Sequence, residues 1–158
     1  MIEFSQKSPE TERDVYRPII VGIKHKKETI PETLAFLAKY DFEGKRVMLE
    51  ICDYPIPEKY HLTNLEFCEF FEAVAEKITA GGGIVLAGDS EELIDHAAGE
   101  LERLWVEGVS VYLCGYRETV TRERDPHFLR YAKDNKPDMI ILDTVHAEYV
   151  ARGLGYTE

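Results

Sequence analysis

At 158 residues the chain has the length of one ordinary domain, and its 44% hydrophobic content supplies one proper core, which sets disorder aside. A net charge of −11, from 30 acidic and 19 basic residues, disfavours a nucleic-acid or anionic-membrane surface, since both partners are themselves negative. No stretch approaches the roughly 20 apolar residues that span a bilayer, and the polar segment from Met1 to Arg13 lacks the apolar centre of a secretory signal.

Short β-branched runs alternate with longer helical runs, the pattern of an α/β domain with a mostly parallel sheet of about five strands and helices packed on it. Residues 1–15 read as a polar extension of a single domain covering 1–158. The first strand is Pro18 to Ile23. Thr29 and Glu32 form a capping box, and Pro31 suits the first turn of a helix that runs to Tyr40. After an exit turn at Asp41 to Gly44, the second strand is Arg46 to Ile51. Pro55 and Pro57 mark Asp53 to His61 as a loop. Thr63 and Glu66 make another capping box before an amphipathic helix from Leu65 to Thr79. Its Phe67, Phe71, Val74 and Ile78 share one face and read as core. Gly81 to Gly83 lead into the third strand, Ile84 to Ala87. Asp89 or Ser90 opens a helix reaching Trp105, and a fourth strand follows at Val109 to Leu113. Arg117 to Lys133 is helical, with a break predicted at Asp125-Pro126, an N-cap and first-turn pair. The fifth strand is Asp138 to Leu142. The last helix covers His146 to Arg152, and Gly153 and Gly155 end it.

In an open α/β sheet, ligands bind outside the carboxyl ends of the strands. The predicted strands deliver there Gly22-Ile23-Lys24-His25, then Glu50, Asp53 and Tyr54, then Gly88-Asp89-Ser90. Gly115-Tyr116-Arg117 and Asp143-Thr144-Val145-His146 complete the edge. Two histidines and at least three carboxylates thus share one edge. Such a set suits Mn, Zn, Fe or Co better than Ca or Mg, and it equally holds a general base and an acid without metal. Asp89 and Asp143 have a plainer use as helix N-caps, and His25 as an ordinary exposed or satisfied histidine. Glu50 ends the apolar run Val-Met-Leu-Glu-Ile-Cys, where burial requires a partner, either a ligand or an arginine. A local basic pocket stays open, because Arg117, Arg122, Arg124 and Arg130 cluster in the sequence.

The Gly81 to Gly83 run precedes its strand, the wrong side for a phosphate loop, and no GxSxG elbow occurs, so no nucleotide cofactor is expected. The three cysteines, Cys52, Cys68 and Cys114, form no CxxC pair, which predicts neither a disulfide framework nor a zinc ribbon and fits a reducing, cytoplasmic compartment. Each sits in an apolar run as a core thiol. A cysteine-nucleophile site at Cys52, beside His25 and Asp53, is the alternative, although nothing nearby lowers its pKa.

The segment Val21-Gly22-Ile23-Lys24-His25 resembles the Gly-x-x-His motif that opens the TraB/PrgY-like proteins. Their superfamily also holds the erythromycin-esterase-like, ChaN-like and Tiki proteins. Glu50 stands where these families carry a glutamate at the end of the next strand. Glu123-Arg124-Asp125, followed by Phe128-Leu129 and Ala132, is similar to their Glu-Arg-Asp/Asn segment. Asp143-Thr144-Val145-His146 stands in place of a second Gly-x-x-His, with Asp143 instead of glycine. The resemblance runs from Pro18 to Gly155 and rests on order and spacing more than on any one motif; the chain is shorter than typical members.

The resemblance implies a metal-dependent hydrolase acting on an amide or ester bond of a small-molecule or peptide substrate, Tiki proteins being described as metal-dependent proteases. Carried over, it makes His25, Glu50 and His146 catalytic. It also implies a divalent metal (Mn, Co or Zn) on His25, Glu50 and His146, with Asp143, the departure from the motif, as an added carboxylate ligand. Arg124 would then orient a carboxylate or hold an anionic group of the substrate, with Tyr54 and Asp89 as further substrate-binding residues; a salt bridge within its own helix is the other use of Arg124. The short chain and altered second motif support a second reading, a non-catalytic module that binds a small anion through Arg124 and helix N-termini. A third reading is a homo-oligomer with Tyr54, Tyr60, Phe67, Phe70 and Phe71 as the dimer face.

Overall fold

The computed structural model describes residues 1–4, 16–106 and 116–156. Four apolar runs form the parallel part of its sheet: β2 (Ile19–Ile23), β3 (Arg46–Leu49), β4 (Ile84–Ala87) and β5 (Met139–Asp143). A short strand, β1 (Ile2–Phe4), adds antiparallel to β2, and the order is β1-β2-β5-β3-β4. Because side chains alternate along a strand, the register sorts the core into two layers. Ile20, Ile140 and Met48 stand side by side on one face, and Val21, Ile141 and Leu49 on the other.

Helices cover both faces. The Val21 face is buried by α1 (Ile30–Leu37) and α3 (Leu65–Ala80), through Leu37, Phe70, Phe71, Val74 and Ile78. The Ile20 face is buried by α5 (Tyr116–Asn135) and α6 (Thr144–Gly153), through Phe128, Ala132, Ala147 and Val150. Each large side chain buried here contributes about 1.5–3 kcal/mol. Two further helices, α2 (Glu58–Thr63) and α4 (Glu91–Val106), lie beyond the carboxyl ends of β3 and β4. At the opposite edge Arg46 Nη1 donates to the Asn135 carbonyl at 2.6 Å, and its backbone N–H donates to Asp138 Oδ2 at 2.8 Å, tying the start of β3 to the start of β5. Among the described residues no helix is long and apolar enough to cross a membrane.

The architecture is the expected one, a mostly parallel five-stranded sheet with helices packed against it, but its membership differs. Residues 2–4, assigned above to a polar extension, supply the fifth strand: Phe4 is buried in the α5–α6 layer while Glu3 alternates outward to accept the Tyr40 hydroxyl at 2.7 Å. The expected strand at Val109 to Leu113 lies outside the described residues, as does Cys114. Within the expected loop Asp53 to His61, the chain begins α2 just after Pro57, where a proline needs no helical N–H partner. Neither capping box forms. The Thr29 hydroxyl points back to the Lys24 and Lys26 carbonyls (2.6 and 2.7 Å), and Asn64, not Thr63, caps α3 by accepting the Phe67 N–H. The predicted break at Asp125-Pro126 does not occur either; α5 passes through Pro126. The two residues before the proline are fixed from outside the helix, Arg124 by carboxylates and Asp125 by a histidine, and those contacts offset the lost backbone bond.

Candidate functional site

Gly22 decides how the first motif works. A Cβ at this position would lie 3.1 Å from the backbone Cα of Thr144, so glycine lets the start of α6 sit directly on β2, and a side chain here would push one of them back by a few tenths of an ångström. That approach brings His25, two residues past β2, alongside Asp143 at the end of β5. His25 Nε2 lies 3.6 Å from Asp143 Oδ2, and its ring stands edge-on to Phe67 with centroids 5.2 Å apart. Asp143 Oδ1 accepts the Val145 N–H at 3.1 Å and thereby caps α6. The aspartate that replaces the expected glycine therefore has two tasks, a helix cap with one oxygen and a histidine partner with the other.

Glu50 follows β3 directly and is 2% exposed. Its Oε1 accepts the Asp143 N–H at 2.8 Å, and its Oε2 faces Arg124 Nη2 at 3.4 Å. The same Arg124 nitrogen donates to Asp89 Oδ2 at 2.5 Å. Asp89 is also buried, and its other oxygen accepts the Ser90 N–H at 2.8 Å ahead of α4. Burial works against the Arg124 charge, but Asp89 and then Glu50 outweigh it, so the guanidinium is held above its ordinary pKa and stays ionised. Arg124 Nε is buried and has no hydrogen-bond partner among the described residues.

The next residue on α5, Asp125, accepts a hydrogen bond from His146 Nδ1, and both are buried. Burial disfavours the imidazolium, yet the Asp125 hydrogen bond and the nearby Glu50 charge prevail, and the His146 pKa is raised. The Phe128 ring packs on this imidazole with centroids 5.2 Å apart.

His25, Glu50 and Arg124 open onto a cavity of about 420 Å³. That is the size of a small-molecule pocket. Its walls are mainly apolar, from Ile51 and Ile56 after β3, Phe67 of α3, and Ile94 and Ala98 of α4. Over it, α2 is latched to α4: Lys59 Nζ and the Tyr60 hydroxyl each reach one oxygen of Asp95 at 3.0 Å, and Lys59 also pairs with Glu91 at 2.5 Å.

Of the residues expected to act, the structure gathers His25, Glu50 and Arg124 in one cavity. Asp143 stands behind His25, and Asp89 behind Arg124. Tyr54 packs against the α1–α3 core and is not part of the cavity wall. His146 is engaged with Asp125 and packs with the α5–α6 layer. The arginine partner expected for Glu50 is Arg124, which bonds across the sheet edge rather than within its own helix. Of the proposed dimer face, Phe70 and Phe71 are fully buried in the core and present no surface. Cys52 borders the cavity, where burial pushes its thiol pKa up and away from the thiolate.

The four residues that the resemblance implies as metal ligands do not converge on one point. Both Glu50 oxygens already accept hydrogen bonds, His146 Nδ1 is taken, and no group of three or more His, Cys, Asp or Glu among the described residues is arranged to hold a metal ion. The geometry lends the metal reading no support. Asp125 was visible in sequence as the last residue of Glu123-Arg124-Asp125. The apolar walls from Ile51, Ile56, Ile94 and Ala98 carried no signal, because apolar residues in loops and on helix faces read as packing. Comparison with protein-family models, with curated proteins and with solved structures gives no match.

Proposed function

We propose that the chain is a hydrolase that cleaves an amide or ester bond of a small molecule held in the cavity. The observation that carries this reading is the convergence of His25, Glu50 and Arg124, from three separate segments, on one largely apolar cavity at the carboxyl edge of the sheet. The order of these residues also follows the motifs by which the chain resembles the TraB/PrgY-like proteins.

In this reading His25 is the general base. Asp143 beside Nε2 orients the imidazole and stabilises the imidazolium, which leaves Nδ1 to take a proton from water. The water oxygen attacks the substrate carbonyl carbon, and the Arg124 guanidinium donates to the oxygen on which charge develops. The tetrahedral species then collapses, breaking the bond to the leaving nitrogen or oxygen, which takes its proton back from His25. Glu50 keeps Arg124 and the Asp143 backbone in place through its two oxygens.

The test is hydrolysis of a panel of nitrophenyl esters and nitroanilides by the purified chain and by His25→Ala. The expected result is turnover that the variant loses by about a hundredfold or more, with circular dichroism and melting temperature unchanged. No turnover of any panel member above buffer, or equal turnover by His25→Ala, sinks the reading.

A further inference from the structure

From an unused hydrogen-bond donor and the charge around it, we infer that the cavity selects a neutral carbonyl compound with an apolar body, and discriminates against the corresponding carboxylate. This deepens the hydrolase reading and rests on it for what happens to the bound molecule.

Three observations lead there. Arg124 borders the cavity, and its Nε is buried without a hydrogen-bond partner among the described residues. A buried donor in that condition is costly unless an acceptor arrives. The guanidinium charge, however, is already matched within the protein, so what it offers a ligand is a directed hydrogen bond rather than net charge. Asp89 and Glu50 together bring two negative charges to its one positive charge, and Asp143 adds a third carboxylate 3.6 Å from His25. At the outer side Lys59 is likewise held between two carboxylates, Glu91 and Asp95. An incoming carboxylate or phosphate would enter an acidic surrounding whose cations are already paired. A neutral amide or ester oxygen would meet the Arg124 side chain, and its buried N–H once the side chain turns toward the ligand, without adding charge.

The remainder of the ligand meets Ile51, Ile56, Phe67, Ile94 and Ala98, which hold no charge. An aliphatic or aryl group of a few carbons fits the about 420 Å³ that these walls enclose. The inferred class is therefore an aliphatic or aryl amide or ester with no acidic group. Its hydrolysis releases a carboxylate into a site that repels it, which favours release of the product.

The experiment compares matched probes by calorimetry at neutral pH: hexanamide, hexanoate and hexylamine, with the wild-type chain and with Ala98→Trp, which fills the cavity from an exposed position on α4. The expected result is hexanamide binding at least about tenfold tighter than hexanoate, with the preference and the binding lost in Ala98→Trp. Hexanoate binding as tightly as hexanamide overturns the inference, as does tighter binding of hexylamine or no binding of hexanamide up to its solubility limit. Hexanamide binding that survives Ala98→Trp unchanged also overturns it. The nitrophenyl-ester assay is read separately. Amide-selective binding without turnover sinks the hydrolase and keeps the ligand class; turnover that favours acidic substrates does the reverse.

Discussion

His146 Nδ1 donates to Asp125 Oδ1 across the α5–α6 packing, and both side chains are buried beside Glu50 and Arg124. Burial alone lowers a histidine pKa, but the Asp125 hydrogen bond and the Glu50 charge raise it further than burial and Arg124 lower it. The folded-state value is therefore above the ordinary value of about 6.5. By linkage, the stabilisation is present in full below about 6.5 and is lost as pH rises through the folded value. Urea unfolding across neutral pH is expected to show the wild type losing stability relative to His146→Gln as the solution becomes alkaline. His61 and His96 shift in the same direction but are present in both proteins, so they cancel in the difference. A difference that stays flat with pH contradicts the assignment.

Arg124→Met removes the cation between Glu50 and Asp89 and leaves two buried carboxylates without it. Breaking a buried pair in this way costs roughly 3–5 kcal/mol. Chemical denaturation is expected to show a loss of that order. Adding Glu50→Gln and Asp89→Asn to the same chain is expected to recover part of it, because the three residues form one network.

Asp143→Asn separates the two tasks of this residue. Asparagine still caps α6, but it no longer offers His25 a negative oxygen. The expectation is an unchanged melting temperature with turnover reduced by about tenfold or more. A variant that keeps full turnover shows that the Asp143 charge does nothing for His25.

Gly22→Ala tests the close approach of β2 and α6. The added methyl meets the Thr144 backbone at 3.1 Å, and a backbone cannot swing aside as a side-chain tip can. The expected cost is about 1–3 kcal/mol, read from the urea midpoint, with His25 displaced from Asp143 in the process.

Asp95→Ala unlatches α2 from α4 by removing the shared partner of Lys59 and Tyr60. These groups are exposed, so the overall melting point is expected to stay where it is. Ligand dissociation from the cavity is expected to speed up, as followed by stopped-flow after dilution. An unchanged dissociation rate shows that α2 does not limit exit.

What could be read in advance follows the strength of the local signal. The four parallel strands and α3 announce themselves because their apolar runs are long and periodic, and Glu50 because a carboxylate ending such a run must have a partner. β1 escaped because three residues give no period, and α2 because two prolines nearby and only six residues outweigh any helical pattern. Pro126 predicts a break that does not occur because the contacts beside it on the continuous α5 come from Glu50, Asp89 and His146, which are 74, 35 and 21 residues from their partners. The cavity was invisible for the same reason. Its polar residues were found through the strand-end rule, whereas its apolar walls come from segments that meet only after folding. The separation of His146 from His25 could not be seen either, since the strand-end rule places residues at an edge without saying to which face of the sheet each one turns.

Arg124 reaches the cavity from α5, whose Phe128 and Ala132 are buried on the sheet face opposite the one covered by α3 and Phe71. A molecule bound in front of the sheet thus touches a side chain rooted behind it. Substitutions among Phe128, Ala132, Ala147 and Val150, none of which borders the cavity, are expected to shift that root and so to alter the binding of a ligand they never meet. The rear packing layer therefore acts as a tuning peg for the front, and libraries that seek altered selectivity have reason to include it.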